Sequence, residues 1–256
     1  CGIFNPTKYL PLKFVPITLE LALCDINDAI ITPQFLGRFR TVVLNVICTL
    51  DNALNNSYVE HLLSGKSLPI EYSTFISQQS AISGTQFSVQ VIRAVSRLQR
   101  VFISFFSSTY TGPFAKQSIN FYHPMYTSAS YNPDKELQFQ LQLGSKLVPE
   151  YPCQSLAECF YHLKKTLNLP DHHQHSIGIK FKDFCKDKFI FALSFEKIPD
   201  AEWSGINTKA GQILMVNVKA MNSGSLGDTK IADTMYTALE AQQILEIRDV
   251  GCTVYD

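Results

Sequence analysis

The sequence predicts an all-β protein: an antiparallel sandwich or jelly roll with short helices set in its loops. Three observations carry that reading. Short apolar segments alternating at period two recur along the chain, as strands with one buried face require. Turn residues separate them at regular spacing. Helical periodicity is confined to two short segments, too little for a helical core.

In chain order, Tyr9 to Cys24 reads as a first strand region. Leu10, Leu12 and Phe14 share one face, and Ile17, Leu19, Leu21 and Leu23 share the other phase, with a bend expected at Val15-Pro16. Asp25 to Gly37 reads as a loop, and Arg38 to Leu50 as a second strand region. Asp51 is placed to accept the free amides of a helix start. Leu50, Leu54, Tyr58 and Leu62 then recur at helical spacing, with Val59 and Leu63 widening the stripe, and Gly65 stands where a left-handed cap belongs. This helix reads as a joint between two β units.

Beyond it, Leu68 to Ile76 reads as a strand and Gln78 to Thr85 as a polar turn around Gly84. Phe87, Val89 and Val91 alternate with Ser88 and Gln90, and Leu98 to Phe106 is a further apolar strand. Ser107 to Lys135 is a long aromatic segment with three prolines. A loop this long is expected to be functional or to pack as its own small cap, and its aromatic residues argue against plain disorder. Leu137-Gln-Phe-Gln-Leu-Gln-Leu143 alternates without exception, with Gly144 and Pro149 ending it. Ser155-Leu-Ala-Glu158 is a capping box opening a helix through Leu156, Phe160, Leu163 and Leu167, stopped by Pro170. Phe189, Phe191, Leu193 and Phe195 predict another strand. Ile213 to Val218 predicts one more, and Gln243 to Tyr255 one or two around Gly251.

The formal net charge of the 256 residues is zero, with no basic block or face, so direct nucleic-acid binding is not expected. No apolar run reaches membrane-spanning length. The seven cysteines (1, 24, 48, 153, 159, 185 and 252) are irregularly spaced and include no Cys-x-x-Cys pair. They read as reduced, mostly buried thiols of a chain made in a cytosolic or nuclear compartment. The chain opens Cys1-Gly-Ile without Met, and upstream sequence is expected to be missing.

Catalytic chemistry is hard to find. Asp171-His-His-Gln-His175 holds a His-x-His pair, but His172, His173 and His175 follow a helix stop in a polar stretch, and a solvated loop is the simpler reading. His61 reads as a packing or capping residue and Cys159 as core. Asn55-Asn-Ser57 is a sequon inside a helix, and the lone Trp203 reads as a turn anchor. No nucleophile elbow, P-loop or dinucleotide fingerprint is present. No catalytic, cofactor or metal residue is assigned.

The order of pieces carries a resemblance. Tyr9-Leu-Pro-Leu-Lys-Phe-Val-Pro-Ile17, Val43-Leu-Asn-Val-Ile-Cys-Thr-Leu-Asp51 and Tyr58-Val-Glu-His-Leu-Leu63 are followed by Phe87 to Phe105 and Leu141-Gln-Leu-Gly-Ser-Lys-Leu147. Phe191-Ala-Leu-Ser-Phe195, Ser204-Gly-Ile-Asn207 and Leu245-Glu-Ile-Arg-Asp-Val-Gly251 complete it. Together they resemble the C-terminal part of double jelly-roll major capsid proteins of large nucleocytoplasmic DNA viruses, Polinton-like viruses and virophages. The joint helix lacks the Arg/Glu-rich start of the large-virus branch, which points to the Polinton-like side.

The resemblance implies three segments. Residues 1–51 would be the last strands of a first jelly roll, 52–65 a linker helix, and 66–256 the second jelly roll. It also implies a structural, non-enzymatic protein of the virion, assembled in the host cytoplasm or nucleus. The subunits would form homotrimeric, pseudo-hexagonal capsomers that meet neighbouring capsomers and minor capsid proteins in an icosahedral shell. Glutamine-faced strands would suit such lateral contacts. The alternative is a jelly-roll carbohydrate-binding or host-attachment module, with Trp203 and loop tyrosines lining a sugar site.

Overall fold

The computed structural model describes residues 3, 9–22, 51–84, 86–106, 138–169, 177–185, 188–196, 204–209, 211–219 and 232–256. The elements are α1 (Asn52–Leu63), β1 (Leu68–Ala81), β2 (Phe87–Val91), β3 (Leu98–Phe106), β4 (Gln138–Leu143) and β5 (Lys146–Cys153). They continue with α2 (Leu156–Thr166), α3 (Phe181–Phe184), β6 (Phe191–Ser194), β7 (Leu214–Lys219), β8 (Thr234–Arg248) and β9 (Gly251–Tyr255). The chain divides into two compact units, Cys1–Ser73 with Gln243–Asp256, and Thr74–Gln242.

The strand order defines the architecture. One sheet runs β1-β8-β3-β6, with β9 also pairing β8, and the other runs β2-β7-β4-β5. The neighbouring pairs β1·β8, β2·β7, β3·β6 and β4·β5 are those of one long hairpin folded at the β4–β5 turn. The cross pairs β3·β8 and β4·β7 are those made when that hairpin rolls up into two sheets. This is a jelly roll, as the sequence predicts, and its antiparallel alternation explains the one-face burial of most strands.

The core of the larger unit forms where inward-facing side chains of the two sheets meet. β3 contributes Val101, Ile103 and Phe105, and β8 contributes Met235 and Leu239. Phe139, Leu141 and Leu143 come from β4, and Leu214, Val216 and Val218 from β7. Four phenylalanines cross the middle. Phe139 lies 5.6 Å from Phe105, 5.6 Å from Phe189 and 4.7 Å from Phe191, between ring centroids. The helix α2 opens as expected, with Ser155 Oγ accepting from the Glu158 amide at 3.1 Å. Cys159 and Leu163 bury its inner face.

The smaller unit holds α1, the start of β1, the end of β8, and β9. Asp51 caps α1 by accepting from Ala53 and Leu54 amides at 2.8 and 3.3 Å, and Gly65 takes φ +76 after it, both as expected. Val15, Leu62, Ile70, Leu245 and Ile247 form this unit's own core. His61 Nε2 lies 3.2 Å from the carbonyl of Ser67, in the segment that follows the helix.

Several expectations need correction. Residues 9–22 contain no strand. The Pro11 carbonyl accepts from Phe14 and Val15 at 2.9 and 3.2 Å and closes a turn, because Pro11 and Pro16 cannot donate to a ladder there. Gln78 to Ala81 continue β1, and the turn falls around Gly84, at φ +76. Pro149 does not end a strand; it lies within β5, an element the pattern missed. Residues 23–50 (including Arg38 to Leu50), all of Ser107 to Lys135, and Pro170 lie outside the described residues.

The Ser204-Gly-Ile-Asn turn works as a clamp on β3. Ile206 exchanges two backbone hydrogen bonds with Leu98, at 2.8 and 2.9 Å, and Thr208 Oγ1 accepts from the Val95 amide at 2.8 Å. Gly205 sits at φ +125, where a Cβ would come within 2.8 Å of the Leu98 carbonyl oxygen. Gly205→Ala is therefore expected to cost about 1–3 kcal/mol, measured as a lowered midpoint in urea unfolding. An unchanged midpoint would mean that the clamp relaxes freely.

Candidate functional site

The two sheets present opposite kinds of outer surface. Alternation sends Arg100, Phe102, Ser104 and Phe106 of β3 outward. The β3·β8 register sets Arg100 against Glu240, Phe102 against Ala238, Ser104 against Tyr236 and Phe106 against Thr234. On the other side Phe102 pairs with Ala192 of β6. The two alanines flank the Phe102 ring and leave a shallow groove of about 340 Å³, lined by Phe75, Ser77, Phe102, Ser104, Ile190 and Tyr236. Phe75 is 60% exposed, with its ring 6.3 Å from Phe102; Tyr236 packs edge-on against Phe106 at 4.8 Å. An apolar face with exposed aromatic residues has the composition that the cores of protein interfaces favour.

An ion cluster lies on the same face. The Arg100 guanidinium reaches the Glu196 carboxylate at 3.0 Å and the Glu240 carboxylate at 3.5 Å. Both carboxylates are largely buried, so the guanidinium compensates charge that water does not reach.

The other sheet's outer face is polar. Ser88 Oγ donates to Asn217 Oδ1 at 2.7 Å, and Asn217 Nδ2 to Gln142 Oε1 at 3.4 Å, a ladder across β2, β7 and β4. Gln140 Nε2 donates to the Pro149 and Glu150 carbonyls at 3.0 and 3.1 Å, and Gln142 Nε2 to the Gly144 carbonyl at 3.0 Å. The glutamines expected to reach a neighbour thus make bonds inside their own sheet. The aromatic face was missed in the sequence, although Phe102 and Phe106 stand out of phase with the buried positions of β3.

Cys159 is buried, as expected of a core residue. Among the described cysteines Cys153 is also buried, Cys185 is half-buried and Cys252 exposed, all as free thiols. Asn55 to Ser57 lie within α1. His172, His173, His175 and Trp203 lie outside the described residues.

No protein-family model and no curated protein matches the chain. Among solved structures it is similar to PBCV-1 VP54 fitted into a cryo-EM reconstruction of the virophage Sputnik, with TM-score 0.47 and 10% identity, covering 81% of this chain and 55% of that one. It is also similar to the quasi-atomic model of the PBCV-1 virus capsid, with TM-score 0.43 and 9% identity, over 74% of this chain and 51% of that one. A third similarity is to the Sputnik virophage structure by cryo-EM, with TM-score 0.40 and 10% identity, over 74% and 39%. The chain spans about half of the first two structures' chains, and less of the third.

Proposed function

We propose that this chain is a structural protein of a viral capsid, the C-terminal part of a double jelly-roll subunit. The observation that carries the reading is the rolled-hairpin strand order combined with one aromatic outer face and one self-satisfied polar face. A barrel with that asymmetry can lie beside another through its aromatic sheet while its polar sheet stays wet. The order of sequence pieces supports the same reading. On it, residues 1–51 belong to the end of a first barrel, 52–65 join the two barrels, and 66–256 make the second. Subunits assemble as homotrimers, and these meet neighbouring capsomers and minor capsid proteins in the icosahedral shell of a virion. The role is architectural and calls for no catalysis.

The test is assembly. The purified full chain is expected to elute as a trimer or larger on sizing with light scattering, and to show capsomers by negative-stain microscopy. Phe75→Lys with Tyr236→Lys is expected to shift it to monomer without lowering the unfolding midpoint by more than about 1 kcal/mol, since both side chains are exposed. A wild-type monomer at every concentration would sink the proposal. Assembly unaffected by the double change would remove the aromatic face from it.

A further inference from the structure

We propose that Cys153, Glu158 and His162 form a binding site for a zinc-class divalent cation at the corner between β5 and α2. Cys153 is the last residue of β5 and is fully buried. Gln154 and Ser155 link it to α2, where Glu158 and His162 stand four residues apart and so share one helix face. The Cys153 sulfur, a Glu158 carboxylate oxygen and a His162 ring nitrogen lie within 4.8 Å of one another. Tetrahedral coordination with zinc–ligand bonds of 2.0–2.3 Å sets donor atoms about 3.3–3.8 Å apart. Side-chain adjustments of about 1 Å close that gap.

Helix capping does not account for this convergence. The capping box uses Ser155 Oγ and one Glu158 oxygen, Oε2, which accepts from the Gln154 amide at 3.0 Å. It needs neither a buried thiol nor an imidazole beside the carboxylate. One sulfur, one nitrogen and one oxygen suit zinc, whereas calcium and magnesium select all-oxygen sets. Glu158 and His162 are half-buried, so a fourth position is open to a water from the solvent side.

Loading by a cation has to displace the thiol proton. Burial lowers the His162 pKa, with Lys165 adding to the effect and Glu158 opposing it; a neutral imidazole has a free lone pair. Burial first, then the Glu158 carboxylate, pushes the Cys153 thiol up to about 12. Binding therefore exchanges one proton: the S–H bond breaks, the proton passes to water, and the sulfur lone pair forms the bond to the cation. The dication supplies the positive charge that the thiolate otherwise lacks.

The test uses the full chain, stripped with chelator and equilibrated with zinc chloride. One zinc per chain is expected after desalting, and cobalt in its place is expected to give a thiolate-to-cobalt charge-transfer band. His162→Gln and Cys153→Ser are each expected to weaken zinc binding by more than about 100-fold, beyond the 10–100-fold of outer-shell changes. Cys185→Ser is expected to bind as wild type. Excess zinc is expected to raise the melting temperature of wild type and not of His162→Gln, a half-exposed position outside the capping box that leaves the fold intact. Failure of wild type to retain zinc, absence of the cobalt band, or undiminished binding by His162→Gln would each overturn the site.

Discussion

Arg100→Met is expected to lower stability by about 3–5 kcal/mol, the range for removing one partner of a buried ion pair. The reason is the company that Arg100 keeps. Its guanidinium lies 3.0 Å from a Glu196 carboxylate that is almost wholly shielded from water, and 3.5 Å from that of Glu240. Methionine fills the stem's volume but takes the guanidinium charge away from two largely buried carboxylates. The measurement is the urea unfolding midpoint followed by circular dichroism. The control is the triple change Arg100→Met, Glu196→Leu and Glu240→Leu. It removes the charges together and is expected to recover most of the loss, because the desolvation penalty disappears with the attraction. A single variant as stable as wild type would show that water reaches the cluster and screens it.

Phe139→Ala is expected to be of the same size, about 3–5 kcal/mol, for a different reason. Phe139 is fully buried and stacks on Phe189 and Phe191 while touching Phe105. These partners come from β3, from β6 and from the segment just before it, so truncation opens a cavity where the two sheets meet. Phe75→Ala is the matched comparison. The same chemical change at a site 60% exposed is expected to stay within about 0.5 kcal/mol. Equal losses at both positions would mean that the stacked rings are not the unit's core.

The elements legible in the sequence are those where one physical signal acts alone. β2 and β4 alternate cleanly and β3 is a continuous apolar segment, and the observed bounds of all three fall within a residue of the expected ones. The capping residues Asp51 and Ser155 name their helices because a side-chain oxygen three residues from an amide has little else to do. β5 was illegible because Pro149 and Pro152 argue against a strand. β5 ends the β2-β7-β4-β5 order, and at a sheet edge a missing donor need cost no ladder bond. The first half of β8, Thr234 to Gln242, carries Ala, Leu and Glu, whose local preference is not for strands. Pairing with β1 on one side and β3 on the other overrides it. The Cys153, Glu158 and His162 cluster escaped notice because each residue had a sufficient local explanation or none. Only the turn from β5 into α2 gathers them.

The sequence by itself determined that the chain is antiparallel β, which side chains of each clean strand point inward, and where two helices begin. Those follow from period-two alternation and capping, which act within a few residues. Tertiary structure alone decided the order of strands in the two sheets, the aromatic character of one outer face and the polar closure of the other. It also decided the meeting of sulfur, nitrogen and oxygen at one corner. These depend on pairings between segments as far apart as β1 and β8, and a backbone hydrogen bond between distant strands carries no mark of its partner in either one's sequence.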